Sequence, residues 1–277
     1  MGLVNAKEVA QTINLDKFGF LGTTFGWALM KILNLNTLNK IYDKNKHLKE
    51  IDFINALIND FEIKFEIPEE DLKRIPKTGP FITISNHPLG GVDGILLLKL
   101  LLDHRPDFKI LANFLLHRIE PMKSYVMPVN PFEGKKELQS NLGGFKASLE
   151  HLKDGHPLGV FPAGEVSTYR DGKLIVDKPW QEAAMKLIQR AKVPIVPIYF
   201  HAKNSKLFYR MAKMSDTLRT AKLPSEVLTQ KQRLIRVRIG NPISINAQDE
   251  YKTLEDFTNF LRTKTYLLAN PFEKKKL

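Results

Sequence analysis

His87 and Asp93 are the residues of this 277-residue chain best placed, by type and spacing, to do chemistry. They stand in "FITISNHPLGGVDG" (81–94), where an apolar run ends in Ser-Asn-His, a proline and two glycines follow, and an aspartate comes next but one. Histidine suits general-base work because its side chain titrates near neutrality. A carboxylate on the far ring nitrogen fixes the tautomer and stabilises the imidazolium as it forms. An extended chain would keep the two apart, so the Leu89-Gly90-Gly91 turn has to fold Asp93 back under the ring. The competing reading is that Asp93 caps a following helix and His87 is a surface histidine. Residue types and spacing leave both open.

A second constellation is "GVFPAGEVSTYRDGK" (159–173), where an apolar run ends in Phe161-Pro162-Ala163-Gly164, ahead of Glu165, Ser167, Tyr169 and Arg170. Backbone amides freed at such a turn can bind an oxyanion or a substrate head group. Glu165 could orient a substrate hydroxyl or a partner side chain. Other chemistries lack their residues. There is no cysteine for a thiolate nucleophile, a zinc site or a disulfide, which fits a reducing compartment. Ser85 and Ser167 have no G-x-S-x-G elbow, the seven histidines show no H-E-x-x-H spacing, and no Walker A or G-x-G-x-x-G loop is present. No metal site and no bound cofactor are expected.

The elements that must position these residues alternate. Candidate strands are "FITIS" (81–85), "FKILAN" (108–113), "YVMPV" (125–129), "PLGVF" (157–161), "VPIVPIYF" (193–200) and "LIRVRIG" (234–240), several apolar nearly throughout, as strands covered on both faces are. Pro194 and Pro197 argue for an edge or a bulge rather than a central strand. Helices are expected over "GILLLKLLLDH", over "NLGGFKASLEHLKDG" with Leu142, Phe145, Leu149 and Leu152 at helical spacing, and over "WQEAAMKLIQRA" (180–191). A last helix follows a capping box of Thr253 and Asp256. The fold class is α/β: a mixed, largely parallel central sheet flanked by helices, with a helical N-terminal extension. Residues 1–75 form that extension, with amphipathic pieces around 25–43 and 47–60, and 76–277 the α/β domain.

The formal net charge of +12 calls for an anionic partner, a membrane surface or nucleic acid. Residues 203–238 alone hold ten Lys/Arg against two acids. The bland reading of that run is a solvated basic face. Nucleic acid is not the expected partner, since no reading motif or aromatic stacking array is visible. No window reaches the apolar length of a spanning helix, and the first residues lack a signal-peptide pattern. "FGFLGTTFGWALMKILNLN" (18–36) is the nearest to a membrane segment. There Phe18, Phe20, Phe25 and Trp27 are candidate interfacial anchors, with Arg210 and Lys213 as basic contacts, although on composition alone an ordinary packed helix is the simpler reading.

Taken in order, "SNHPLGGVDG", "VFPAGEVS", "VPIVPIYF" and "IGNPIS" resemble the blocks of the glycerolipid/lysophospholipid acyltransferase family, which includes bacterial 1-acylglycerol-3-phosphate acyltransferases. The likeness covers roughly residues 78–243. Three departures stand out. Five residues separate His87 from Asp93 where the family has four, the glutamate follows the glycine so that Ala163 holds its usual place, and Asn130-Pro131 stand where an arginine is expected. Lys135 and Lys136 are the cations available in its stead. The pattern is closer to the hemolysin-like branch, which includes aminolipid acyltransferases.

The resemblance implies that His87 deprotonates the hydroxyl of a lyso-lipid, which attacks an acyl carrier protein or coenzyme A thioester, with Asp93 orienting His87. It implies substrate contacts at Asn86, Pro88, Gly90, Gly91, Phe161, Pro162, Ala163, Gly164, Glu165 and Ser167. It also implies a place in phospholipid or aminolipid synthesis, in the cytoplasm at the inner face of the cell membrane. A non-catalytic lipid-binding relative and a basic nucleic-acid-binding protein are the alternatives.

Overall fold

The computed structural model describes residues 5–12, 17, 19–113, 116, 119–129, 135–170 and 174–270. In chain order the strands are β1 (Lys64–Glu66), β2 (Ile82–Ser85), β3 (Lys109–Asn113), β4 (Val126–Val129), β5 (Leu158–Val160), β6 (Thr168–Arg170), β7 (Leu174–Val176), β8 (Ile195–His201) and β9 (Leu234–Ile239). The helices are α1 (Ala6–Thr12), α2 (Gly19–Ile32), α3 (Leu35–Asn45), α4 (Glu50–Asp60), α5 (Glu69–Leu72) and α6 (Gly91–Leu102). They continue with α7 (Lys135–Lys153), α8 (Glu182–Ala191), α9 (Lys206–Met214), α10 (Asp216–Thr229), α11 (Ile245–Asp249) and α12 (Leu254–Leu267).

Among the described residues, seven strands form one sheet in the order β1-β9-β8-β2-β5-β3-β4, and β6 pairs antiparallel with β7 outside it. The run from β8 to β4 is parallel, while β9 is antiparallel to β8 and parallel to β1. The mixed, largely parallel α/β sheet expected from the alternation is the observed one.

Apolar side chains on both faces explain why it is covered twice. On one face Phe53, Ile54 and Leu57 of α4 and Leu96 to Leu98 of α6 share a core with Val196, Ile198 and Phe200 of β8. On the other, Leu152 of α7, Met185 and Ile188 of α8, and Phe257 and Leu261 of α12 pack on Ile82, Ile84 and Ile195. From Val92 onward α6 buries every residue but Lys99, as a helix apolar all round must. Asn34, in a left-handed conformation with φ of 54°, separates α2 from α3.

The prolines in "VPIVPIYF" do not put that strand at an edge. β8 is interior, with β2 on one side and β9 on the other. The regular ladder with β9 opens at Ile198↔Ile239, and the next antiparallel pair is Ile195↔Ile243. Between these pairs two residues on β8 (196 and 197) face three on the returning chain (240–242), so the irregularity sits on the neighbour. Pro197 lies within that stretch, where its missing N–H breaks no regular ladder bond. Its carbonyl accepts from Gly240 N at 2.8 Å. A side chain at Gly240 would put Cβ 2.7 Å from the Pro197 ring, so glycine is needed where the chain leaves β9. Pro128, in the edge strand β4, follows the usual rule.

Several elements depart from the expected ones. α7 starts at Lys135, six residues ahead of the segment marked by its apolar spacing. β1, β6 and β7 are three-residue strands with no readable period, and β1 brings the chain before residue 76 into the sheet. The basic run 203–238 contains α9 and α10, and half of its cations are already paired. Arg219 meets Glu165, Lys222 meets the buried Glu226, and Lys231, Arg236 and Arg238 meet Glu62, Glu66 and Asp71.

Candidate active site

β2, β5 and β8 are neighbours running the same way, so the loops at their carboxyl ends meet at one edge, where open α/β sheets collect their ligands. Asn86 fastens the first loop. Its side chain donates to Phe200 O at 3.1 Å and accepts from Phe200 N at 2.7 Å, extending the β2–β8 pairing by one side chain. Pro88 is tied by its carbonyl, which accepts from Asn204 Nδ2 at 3.0 Å.

Asp93 is fully buried, and one oxygen serves three groups. Oδ2 accepts from Leu89 N at 2.7 Å and Gly90 N at 3.1 Å, and His87 Nδ1 lies 3.1 Å from the same atom. Asp93 thus caps α6 and faces the imidazole at once; the two readings of its spacing describe one arrangement. The His87 contact is close enough for charge to act but out of line for a formed hydrogen bond, and Oδ1 has no partner. Burial pushes the Asp93 carboxyl up, opposed by His87 and by the amides of Leu89 and Gly90.

The chain between His87 and Asp93 turns at Gly90, whose φ of 78° and ψ of −119° suit only glycine. A Cβ there would also stand 3.0 Å from Leu223 of α10 and 3.1 Å from Val166. Gly90→Ala is therefore expected to destabilise the fold by about 1–3 kcal/mol. It should also lower turnover per folded molecule, because the strained turn aims Asp93. Denaturant unfolding and the specific rate of the folded fraction measure the two effects.

The ring of Phe161 packs on His87 with centroids 4.2 Å apart. The turn Phe161–Gly164 is closed by Gly164 N donating to Phe161 O at 2.9 Å, so that amide is spent within the loop. Pro162 and Ala163 are buried, and Pro162 O accepts from Gln181 N at 2.8 Å. Glu165 Oε2 accepts from Lys178 Nζ at 2.7 Å and Arg219 NH2 at 2.6 Å. Burial would raise the Glu165 carboxyl, but these two cations outweigh it and hold it below its ordinary range. Ser167 N donates to His87 O at 2.8 Å, joining the second loop to the first. Gly91 opens α6 and is exposed.

Phe18 lies outside the described residues, as do Asn130 and Pro131 and the side chains of Phe20, Lys135 and Lys136. Phe25 and Trp27 are exposed on α2, and Arg210 and Lys213 on α9, away from the His87 loop in sequence.

Residues that sequence reasoning missed complete the site. Lys178 and Arg219 are the cations on Glu165, and Leu223 covers Gly90. Asp177 is a buried carboxylate whose Oδ1 accepts from His87 N at 3.1 Å and Ser167 Oγ at 2.6 Å. Its one sequence signal is an acid closing the apolar "LIV".

A histidine backed by a buried carboxylate and packed against an aromatic ring at the carboxyl ends of parallel strands can take a proton from a nucleophile. Among known proteins, two lyso-glycine lipid O-acyltransferases are each 26% identical to this chain. The one from Phocaeicola vulgatus aligns over 96% of this chain and 95% of its own length, and the one from Bacteroides thetaiotaomicron over 96% and 97%. The crystal structure of the 1-acyl-sn-glycerophosphate acyltransferase PlsC from Thermotoga maritima is 16% identical, with 97% of each chain covered and a TM-score of 0.49. The acyltransferase family model matches residues 13–274, and on that near-complete match the chain belongs to the acyltransferase family and is an acyltransferase.

Proposed function

We propose that the protein transfers a fatty acyl chain from an acyl thioester, carried by acyl carrier protein or coenzyme A, to the hydroxyl of a lyso-lipid. The observation that carries this reading is the contact between His87 Nδ1 and the buried Asp93 carboxylate, which leaves Nε2 as the nitrogen for substrate. Nε2 takes the hydroxyl proton as the oxygen attacks the thioester carbonyl. The tetrahedral intermediate then collapses, expelling the thiolate, which recovers the proton from the imidazolium. Asp93 holds the ring and offsets its charge during the step, and no acyl-enzyme is formed. Because both relatives named above are lyso-glycine lipid O-acyltransferases, a lyso-aminolipid of that kind is the proposed acceptor.

The acceptor and product are amphiphiles, and the surface supports work at an anionic membrane. No helix among the described residues is long and apolar enough to cross one. α2 turns Gly22, Gly26 and Met30 inward and leaves Phe25 and Trp27 outside, Trp27 60% exposed. On α9, Lys206, Arg210 and Lys213 form a cationic stripe at helical spacing. Beside it runs an apolar stripe of Leu207, Met211 and Met214, Met214 being 76% exposed. An apolar stripe beside a basic one suits the headgroup boundary of an anionic bilayer.

The test is incubation with acyl carrier protein or coenzyme A thioesters and a panel of lyso-lipids, lyso-glycine lipid and lysophosphatidic acid included, on anionic or neutral vesicles. Mass spectrometry should find lyso-glycine lipid gaining one acyl chain, faster on anionic vesicles. Absence of thioester consumption with every acceptor would sink the reading.

A further inference from the structure

Within the acyl-transfer reading, on which this inference rests, we propose that Asp177 is a positioning residue for His87, acting through the backbone rather than the ring. The imidazole is addressed by Asp93, but the peptide that carries it is held separately on both sides. The His87 N–H donates to Asp177 Oδ1 at 3.1 Å, and the His87 carbonyl accepts from Ser167 N at 2.8 Å. Ser167 Oγ donates to the same Asp177 oxygen at 2.6 Å. One buried oxygen therefore couples the loop after β2 to the loop after β5.

Asp177 is itself anchored to the far side of the sheet. Its Oδ2 accepts from Trp180 Nε1 at 3.4 Å and its N–H donates to Tyr266 Oη at 2.9 Å. Its carbonyl accepts from Arg262 NH2 at 2.9 Å. Trp180 belongs to the core under α8 and α12, and Tyr266 and Arg262 lie on α12. The path runs from α12 through one carboxylate to the peptide bearing the base. A buried side chain with one oxygen shared between donors from two loops has a positional task, since any shift of that oxygen moves both loops.

Position and charge separate by substitution. Asp177→Asn keeps an oxygen for His87 N–H and Ser167 Oγ–H but removes the charge and, with its NH2 in the Oδ2 place, the long 3.4 Å bond from Trp180 Nε1. Asp177→Glu keeps the charge but moves the carboxylate out by one methylene. Asp177→Ala removes both bonds. Asp177→Ala and Asp177→Glu are expected to lower kcat about 10- to 100-fold per folded molecule with KM changed less than about threefold, while Asp177→Asn stays within about fivefold of wild type.

Amide hydrogen exchange over residues 86–90 gives a readout independent of turnover. Exchange should speed up in Asp177→Ala and Asp177→Glu and stay slow in Asp177→Asn. If Asp177→Ala does not fold, the contrast between Asn and Glu decides. Wild-type kcat and exchange in Asp177→Glu, or Asp177→Asn as impaired as Asp177→Glu, would overturn the proposal. Wild-type protein that transfers no acyl group would instead refute the function, leaving the exchange result to judge the positioning.

Discussion

Replacing His87 with alanine is expected to lower acyl transfer about 10³-fold, the range that loss of a positioned general base produces, while the protein remains folded. The fold should survive because the groups organising the loop do not depend on the ring. Asn86 stays bonded to Phe200, and Asp93 Oδ2 still accepts from Leu89 N and Gly90 N. Asp93→Asn is a sharper companion than alanine, since Asp93 also caps α6. An asparagine can keep its oxygen at the Oδ2 position, preserving both amide bonds, and place its NH2 where Oδ1 has no partner. What it removes is the charge opposite the imidazole. Its expected cost is about 10²-fold or more in kcat, with little change in the unfolding midpoint. Near-wild-type single-turnover transfer by His87→Ala would exclude a base role at this position; the same result in Asp93→Asn would reduce Asp93 to its capping task.

The reach of sequence reasoning follows how each residue does its work. His87, Asp93 and the Phe161–Ser167 turn were legible because they follow apolar runs whose strand character is plain, and strand ends in such sheets are where sites form. The ambiguity between cap and catalytic partner at Asp93 could not be resolved, because both roles ask for the same residue at the same distance, and in this structure Asp93 both caps α6 and lies against the imidazole. Asp177, Lys178 and Arg219 were not legible. Their partners lie 90, 13 and 54 residues away, and no local period marks them. Pro197 misled because the rule it invokes concerns an unbroken neighbouring ladder, whereas β9 departs beside it. α9 and α10 were not legible for another reason: Pro224 lies inside α10, and the dense Lys/Arg of the run interrupt its apolar spacing. Half of that charge proved to hold the fold together, leaving α9 as the exposed basic surface.

At the opposite end of the sheet, Arg105→Ala is expected to cost about 2 kcal/mol of stability, less than breaking a fully buried ion pair because the Asp107 side chain is 30% exposed. The Arg105 side chain is buried between α6 and β3, and its guanidinium binds several segments at once. Nε and NH2 donate to the two oxygens of Asp107 at 3.0 and 2.7 Å, NH1 to Gly79 O at 2.7 Å, and NH2 to Gly155 O at 3.2 Å, with the group over the Phe81 ring. Lysine should not rescue it, because one ammonium cannot span a bidentate carboxylate and two carbonyls. Although burial pushes the Asp107 carboxyl up, Arg105 and His156 hold it down to about 2, against 3.8 for the free side chain. A depressed carboxylate contributes stability that is complete above its unfolded value and is lost as pH falls through the folded one. Wild-type unfolding free energy should therefore drop between pH 4 and about 2. Arg105→Ala and Asp107→Asn should both flatten that limb, the first by releasing Asp107 toward its ordinary value and the second by removing the titration. Urea unfolding across this pH range tests both effects. A loss under about 1 kcal/mol in Arg105→Ala, with an unchanged acid limb, would mean that the strand ends beside β3 are held without this clasp.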